Sequence, residues 1–184
     1  MILRRRCNVS PVSCVFQRMD QKMHLDRRAL LASVLALAAC SSPPAALAGP
    51  DRFAASPWRK LTPEQWKARL PGPSFDVLRE EGTELAFSSP LNNEHRHGIF
   101  ACLGCGLPLF KSEWKFDSGT GWPSFYTEIG GALGKKVDNQ IVEQRTEYHC
   151  AQCLGHQGHV FNDGPQPTGL RYCNNGVALK FVAA

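Results

Sequence analysis

Nothing in this 184-residue chain is apolar for long enough to cross a bilayer: the run Ala29 to Ala39 spans 11 residues, where roughly 20 are needed. Net charge is also missing where a domain would fold. Residues 49–184 hold 14 Lys+Arg and 14 Asp+Glu, so the formal +5 sits in residues 1–48, with 7 basic and 2 acidic side chains. That removes the basic face on which nucleic-acid binding rests. No internal repeat is found apart from two short cysteine motifs, and no βαβ pattern surrounds either, which speaks against a thioredoxin-like redox site. Between Gly49 and Cys102 there is no thiol at all.

What residues 1–48 do contain reads as an export signal. Lys22, Arg27 and Arg28 precede the apolar run, and Asp26-Arg27-Arg28-Ala29-Leu30-Leu31 resembles a twin-arginine signal, a route for proteins that fold before translocation. Ala46-Leu47-Ala48 fits a small-x-small cleavage site releasing a soluble chain at Gly49. Leu37-Ala38-Ala39-Cys40 resembles a lipoprotein box that would lipidate Cys40 and tether the chain, the only membrane association expected. Residues 1–18 precede alternative starts at Met19 and Met23, and an Arg- and Ser-rich organelle transit segment is the other reading of them. An ordinary buried helix is the bland reading of the apolar run. The expected location is periplasmic or secreted, with lipid anchoring or organelle targeting as alternatives.

Residues 49–59, in a stretch rich in Pro and Ser, are expected to form a flexible linker to a domain over residues 60–183. Thr62-Pro63-Glu64-Gln65 predicts a helix with a capping box, running to Leu70 and stopping at Pro71-Gly72-Pro73. A second short helix is expected from about Ser74 to Glu80. After Gly98 the signals change to short strands and turns: Ile99–Ala101, Leu107–Phe110, Ile141–Arg145 and Val177–Val182 have strand composition. The fold class expected is mainly β and antiparallel, with short helices at the N-terminal edge.

Cys102-Leu103-Gly104-Cys105 and Cys150-Ala151-Gln152-Cys153 are two Cys-x-x-Cys knuckles. Each x-x turn lets two sulfurs converge on one ion, so four thiolates suit tetrahedral zinc. In an exported protein disulfides are the competing reading. The 44 residues between Cys105 and Cys150 are too many for the zinc ribbons that read nucleic acid, with roughly 15–20 there. A closed four-thiolate shell leaves no open position, so the ion would be structural.

A further cysteine, Cys173, has no partner knuckle. On a strand Arg171, Cys173 and Asn175 share a face, and a neighbouring guanidinium favours the nucleophilic thiolate. Asn175 could orient a polar ligand, and His156, His159 and Asp163 upstream could supply proton transfer near neutral pH. The plainer readings stay open: a small buried hydrophobe for Cys173, a core pair or metal ligands for the histidines.

Phe116-Asp117-Ser118-Gly119-Thr120-Gly121-Trp122-Pro123-Ser124-Phe125 and the run Gly158-His159-Val160-Phe161-Asn162-Asp163-Gly164 through Arg171-Tyr172-Cys173 resemble the B-type peptide-methionine (R)-S-oxide reductases (MsrB). The similarity covers about residues 60–183. It implies two antiparallel sheets rolled around a core, with zinc held by Cys102, Cys105, Cys150 and Cys153 away from the active site. It further implies Cys173 as nucleophile and Trp122 as an apolar wall for the substrate's methyl group. Phe125 and His95 would stand on the substrate side. His156, His159 and Asn175 would line the polar side, supported by Asp163 and Arg171. The implied reaction is thiol-dependent reduction of methionine (R)-sulfoxide in oxidised proteins through a Cys173 sulfenic acid, by a monomer served by a thioredoxin-like or small-thiol reductant. A non-catalytic zinc module for protein binding is the alternative. Where many relatives carry a recycling cysteine this chain has Thr120, so an outside thiol would reduce the sulfenic acid directly. Gly176 replaces a common serine, with little expected effect.

Overall fold

The computed structural model describes residues 51–184. The expected export region, with Cys40 and both cleavage points, lies outside the described residues. From Asp51 onward the expected linker is packed on the domain instead of free. Arg52 donates to the Gly131 carbonyl (3.0 Å), Arg59 reaches the Ala151 carbonyl, and the Trp58 ring stacks on Trp66 with centroids 5.9 Å apart. Two arginines and a tryptophan in nine residues are enough to hold a segment that has no regular hydrophobic pattern of its own.

Helix α1 (Pro63–Arg69) forms as the capping box predicts: the Gln65 N–H donates to Thr62 Oγ1, and the Thr62 N–H to Gln65 Oε1. Helix α2 (Gly72–Glu80) begins two residues before the expected start, because Pro73 sits comfortably in a first turn where its missing N–H is no loss. It buries Phe75, Val77 and Leu78 and ends on Glu81, whose φ of 57° closes the helix in a left-handed cap.

Two antiparallel sheets follow. The smaller runs β2-β1-β9, built from β1 (Gly98–Cys102), β2 (Pro108–Lys111) and β9 (Leu179–Ala183). The larger has the order β3-β4-β8-β7-β6-β5: β3 (Lys115–Phe116), β4 (Ser124–Phe125), β5 (Leu133–Asp138), β6 (Arg145–Cys150), β7 (His156–Phe161) and β8 (Arg171–Asn174). Phe100 and Phe110 of the small sheet meet Phe125, Tyr148 and Tyr172 of the large one in the core. Phe110 and Phe125 stack at 4.2 Å, and Tyr148 and Tyr172 meet edge-on at 5.4 Å.

One expected strand is corrected. Residues Ile141 to Gln144 are a bend, and pairing starts at Arg145. The apolar side chains there face no core, since Val142 is fully exposed, whereas Tyr148 and Cys150 further on point inward.

Candidate active site

Strand β8 lies between β4 and β7, and its register builds the site. Cys173 stands opposite Ser124 on one side and His159 on the other. Directly opposed residues of antiparallel strands share a face with Cβ atoms about 5 Å apart. Arg171, two residues back on that face, opposes Phe161, and its guanidinium stacks 4.3 Å from the ring centroid. Tyr172 and Asn174 point the other way, and the Tyr148 hydroxyl donates to Asn174 Oδ1 at 2.9 Å. The alternation expected from the sequence therefore holds for Arg171 and Cys173.

On β7 a bulge matters. Tyr148 pairs with Gly158 and His149 with His156, so Gln157 is one residue too many and the strand bends there. This turns His156 and His159, three apart in sequence, toward each other with ring centroids 5.5 Å apart. Gln157 itself is fully buried and serves both sides of the fold. Its Nε2 donates to Cys102 Sγ (3.5 Å), while its carbonyl accepts from the Asn175 backbone N–H (2.8 Å) and Asn175 Nδ2 (3.0 Å).

A cavity of about 120 Å³ opens over this face, lined by Thr83, Trp122, Arg145, Gly158, His159, Phe161, Cys173, Asn174 and Asn175. Of the residues expected at the site, Cys173, His159, Trp122 and Asn175 line it. Four others do not. His156 is buried one layer behind, with Nδ1 on Glu147 Oε1 at 2.8 Å. Arg171 and Asp163 form a bidentate pair beside the cavity, at 2.8 and 2.7 Å. His95 lies across Trp122, in a neighbouring cavity. Phe125 also needs correcting: its ring is fully buried against Phe110 in the core, because β4 turns Ser124 toward Cys173 and so must turn Phe125 inward. Asn175 reads as a brace more than a ligand contact, since its Oδ1 accepts the Glu84 N–H (3.0 Å) while Nδ2 holds Gln157.

Sequence reading missed three acidic residues. Asp138 Oδ2 takes both His159 Nε2 and Arg145 Nη2, each at 2.7 Å. Glu147 bridges His149 and His156. Glu84 accepts from the backbone N–H groups of Gly176 (2.5 Å) and Val177 (3.0 Å), and its carbonyl accepts from Trp122 Nε1 (3.2 Å). Only the paired fold brings Glu84 to residues about ninety positions away, and no local pattern marks it.

The protons follow from these surroundings. Burial pushes the Cys173 thiol up, and this outweighs Arg171 and the Thr120 hydroxyl, which lies 4.0 Å from Sγ; the thiolate expected from Arg171 alone is therefore corrected to a thiol in the free site. Burial lowers His159, helped by Arg145 and opposed by Asp138, so the imidazole is neutral at pH 7. Hydrogen bonds from the Gln140 N–H, His159 and Arg145 hold Asp138 well below the usual carboxylate range. Burial raises Glu147, but its hydrogen bonds to His149 and His156 win and hold it at about 2. An ionised Asp138 only accepts, so His159 Nε2 carries its proton toward Asp138 and leaves Nδ1 as the nitrogen not committed to it.

The four remaining cysteines among the described residues meet at the C-terminal ends of β1 and β6 and in the turns that follow. Their sulfurs all lie within 4.8 Å of one another, with Cys102–Cys153 at 3.6 Å and Cys105–Cys150 at 3.5 Å. Tetrahedral zinc at ~2.3 Å from each sulfur would space them by about 3.8 Å, whereas a disulfide needs ~2.05 Å. The donor set fits a structural zinc ion joining the small sheet to the large one, and the disulfide reading falls away.

The SelR domain family model matches residues 70–183. Peptide methionine sulfoxide reductase MsrB of Leptospira interrogans is 48% identical over 119 residues, 64% of this chain and 91% of that protein. The MsrB of Thiobacillus denitrificans is 49% identical over 121 residues, 65% of this chain and 92% of that protein. The chloroplastic peptide methionine sulfoxide reductase B1 of Oryza sativa is 50% identical over 121 residues, again 65% of this chain but 56% of that longer protein. With a family model matched over residues 70–183 and relatives about half identical that are covered almost end to end, the chain belongs to the SelR (MsrB) family.

Proposed function

We propose that this chain reduces the R epimer of methionine sulfoxide in oxidised proteins to methionine, with Cys173 as nucleophile. The observation that carries the reading is the placement of Cys173 directly across from His159, both lining a small cavity walled by Trp122. A sulfoxide sulfur accepts a nucleophile only as its oxygen is protonated, so thiol and proton carrier must act together. Here one proton serves both ends. Cys173 hands its proton to neutral His159, and the thiolate attacks the sulfoxide sulfur. His159 then returns the proton to the oxygen, and that oxygen passes to Cys173. Methionine leaves, and a sulfenic acid remains on Cys173. One outside thiol displaces it as water to form a mixed disulfide, and a second thiol frees Cys173. The net change is sulfoxide plus two thiols to thioether, disulfide and water.

Trp122, its indole N–H fixed on Glu84, supplies the apolar wall for the methyl group, and the polar groups opposite fix the oxygen, which selects the epimer. Thr120 beside Cys173 leaves no neighbouring thiol, which supports direct reduction by a thioredoxin-like or small-thiol donor. Zinc, held by Cys102, Cys105, Cys150 and Cys153, supplies structure and takes no part in the chemistry. Export to the periplasm or outside the cell rests on the Arg27-Arg28 signal and Ala46-Leu47-Ala48. Retention of the chain in the cytoplasm on Arg27→Lys with Arg28→Lys tests that part by cell fractionation.

The reaction is tested with a peptide carrying both epimers, dithiothreitol and the zinc-loaded protein. The R epimer alone should disappear, and Cys173→Ser should abolish its loss. Loss of both epimers, or activity surviving the substitution, would overturn the assignment.

A further inference from the structure

Trp122 lines two cavities. Beside the catalytic one lies a second, of about 170 Å³, with Phe87, Phe116, Trp122 and Pro123 as its apolar wall and Asn92, Asn93, His95, Lys115 and Asp117 as its polar one. A volume of ~150 Å³ is enough for a benzene ring, so one aromatic side chain fits against the apolar wall. Its outer wall is unusual. Phe87 is 73% exposed and holds a φ of 65°, a region that costs a non-glycine residue about 1–2 kcal/mol. The backbone is kept there by the Phe87 N–H donating to the Gly121 carbonyl at 2.7 Å. Gly121 in turn must be glycine: a Cβ there would come within 2.8 Å of the Phe87 ring and backbone nitrogen. An exposed aromatic ring is thus held in a disfavoured conformation, against a wall shared with the reaction site.

We infer that this second cavity is a subsite for an apolar or aromatic side chain lying two residues from the oxidised methionine in an extended substrate polypeptide. The inference rests on the reaction proposed above and names what its substrate must carry. Side chains two apart on an extended chain point the same way, about 6.8 Å from each other. One indole with its contact layers has about that thickness, so a methionine sulfoxide in the first cavity places such a neighbour in the second. Free methionine sulfoxide has nothing to put there. The subsite makes the site a reader of polypeptide, with an aromatic anchor at its rim as protein interfaces commonly have.

The test compares kcat/KM for two peptides, Phe-Gly-Met(R)O-Gly and Gly-Gly-Met(R)O-Gly, on the wild-type chain and on Phe87→Asn. Asparagine tolerates the left-handed backbone, so the loop keeps its course. The wild type should prefer the phenylalanine peptide by about tenfold, as burial of part of one aromatic side chain implies, and Phe87→Asn should bring the ratio near one. An equal ratio in both proteins, or none in the wild type, overturns the subsite while leaving the reaction standing. Binding is read without turnover by titrating the unoxidised Phe-Gly-Met-Gly peptide and following amide resonances. Shifts at Phe87, His95 and Phe116 support the subsite even where no reduction occurs. Shifts confined to the neighbourhood of Cys173 refute it.

Discussion

His159 is tuned by two neighbours of opposite charge bound to one another: Asp138 raises its proton affinity, Arg145 lowers it, and burial tips the sum downward. The proposed reaction needs one proton on the Cys173–His159 pair. Activity should therefore fall in acid only below the usual imidazole value of 6.5, as His159 gains a second proton for the pair. It should fall in alkali only above the usual thiol value of 9.0, as the raised Cys173 loses its own. Asp138→Asn removes the group that raises His159, so the acid limb of kcat/KM should move further down in pH while the alkaline limb stays. A limb moving upward would show that Asp138 acts in another way. None of this was visible in the residue list, where His156 and His159 looked equivalent. The bulge at Gln157 and the opposing strand make one of them a cavity residue and the other its buried neighbour.

At the level of elements, the segment between α2 and β1 has little regular structure, yet Glu84 within it grips three parts of the site. It holds the Trp122 indole, the Asn175 amide and the backbone turn after β8. Glu84→Ala would leave the Gly176 and Val177 N–H groups without an acceptor, a cost of about 1–3 kcal/mol. The expected result is a rise in KM and blurred epimer selectivity, read by chiral analysis of residual sulfoxide. Glu84→Gln keeps an acceptor and should recover much of both. Equal effects of Ala and Gln would remove the carboxylate from this role. What was legible beforehand divides on physical lines. The capping box of α1 and the two knuckles are local, so Thr62, Gln65 and the cysteines announce them. Strand β5 carries Gly134, Lys135 and Lys136, and its pairing with β6 was hidden by the more apolar Ile141 and Val142 beyond it, which turned out to be solvent-facing. Contacts such as Glu84 to Gly176 depend on topology alone, which no short window contains.

For the whole molecule, the metal centre joins the small sheet through Cys102 and Cys105 to the large one through Cys150 and Cys153. Gln157 links one of those sulfurs to the strand opposite Cys173. Structural zinc contributes on the order of 10 kcal/mol in small domains, comparable to the full 5–15 kcal/mol stability of a typical one. Chelation, or Cys150→Ala, should therefore abolish the cooperative thermal transition followed by circular dichroism, with one zinc per chain measured in the untreated protein. A domain that kept its melting temperature without metal would refute a structural role. The knuckles also leave Cys173 as the single uncommitted thiol among the described residues, with Thr120 where a second sulfur could have stood. In the proposed reaction each cycle then ends on an oxidised Cys173 sulfur that no other thiol among the described residues can cover. If outside thiol arrives more slowly than peroxide, that sulfur passes to the sulfinic acid and does not return. The working lifetime of the molecule is thus set by the thiol-to-peroxide ratio around it, and the repairer wears out fastest under the stress that creates its substrate.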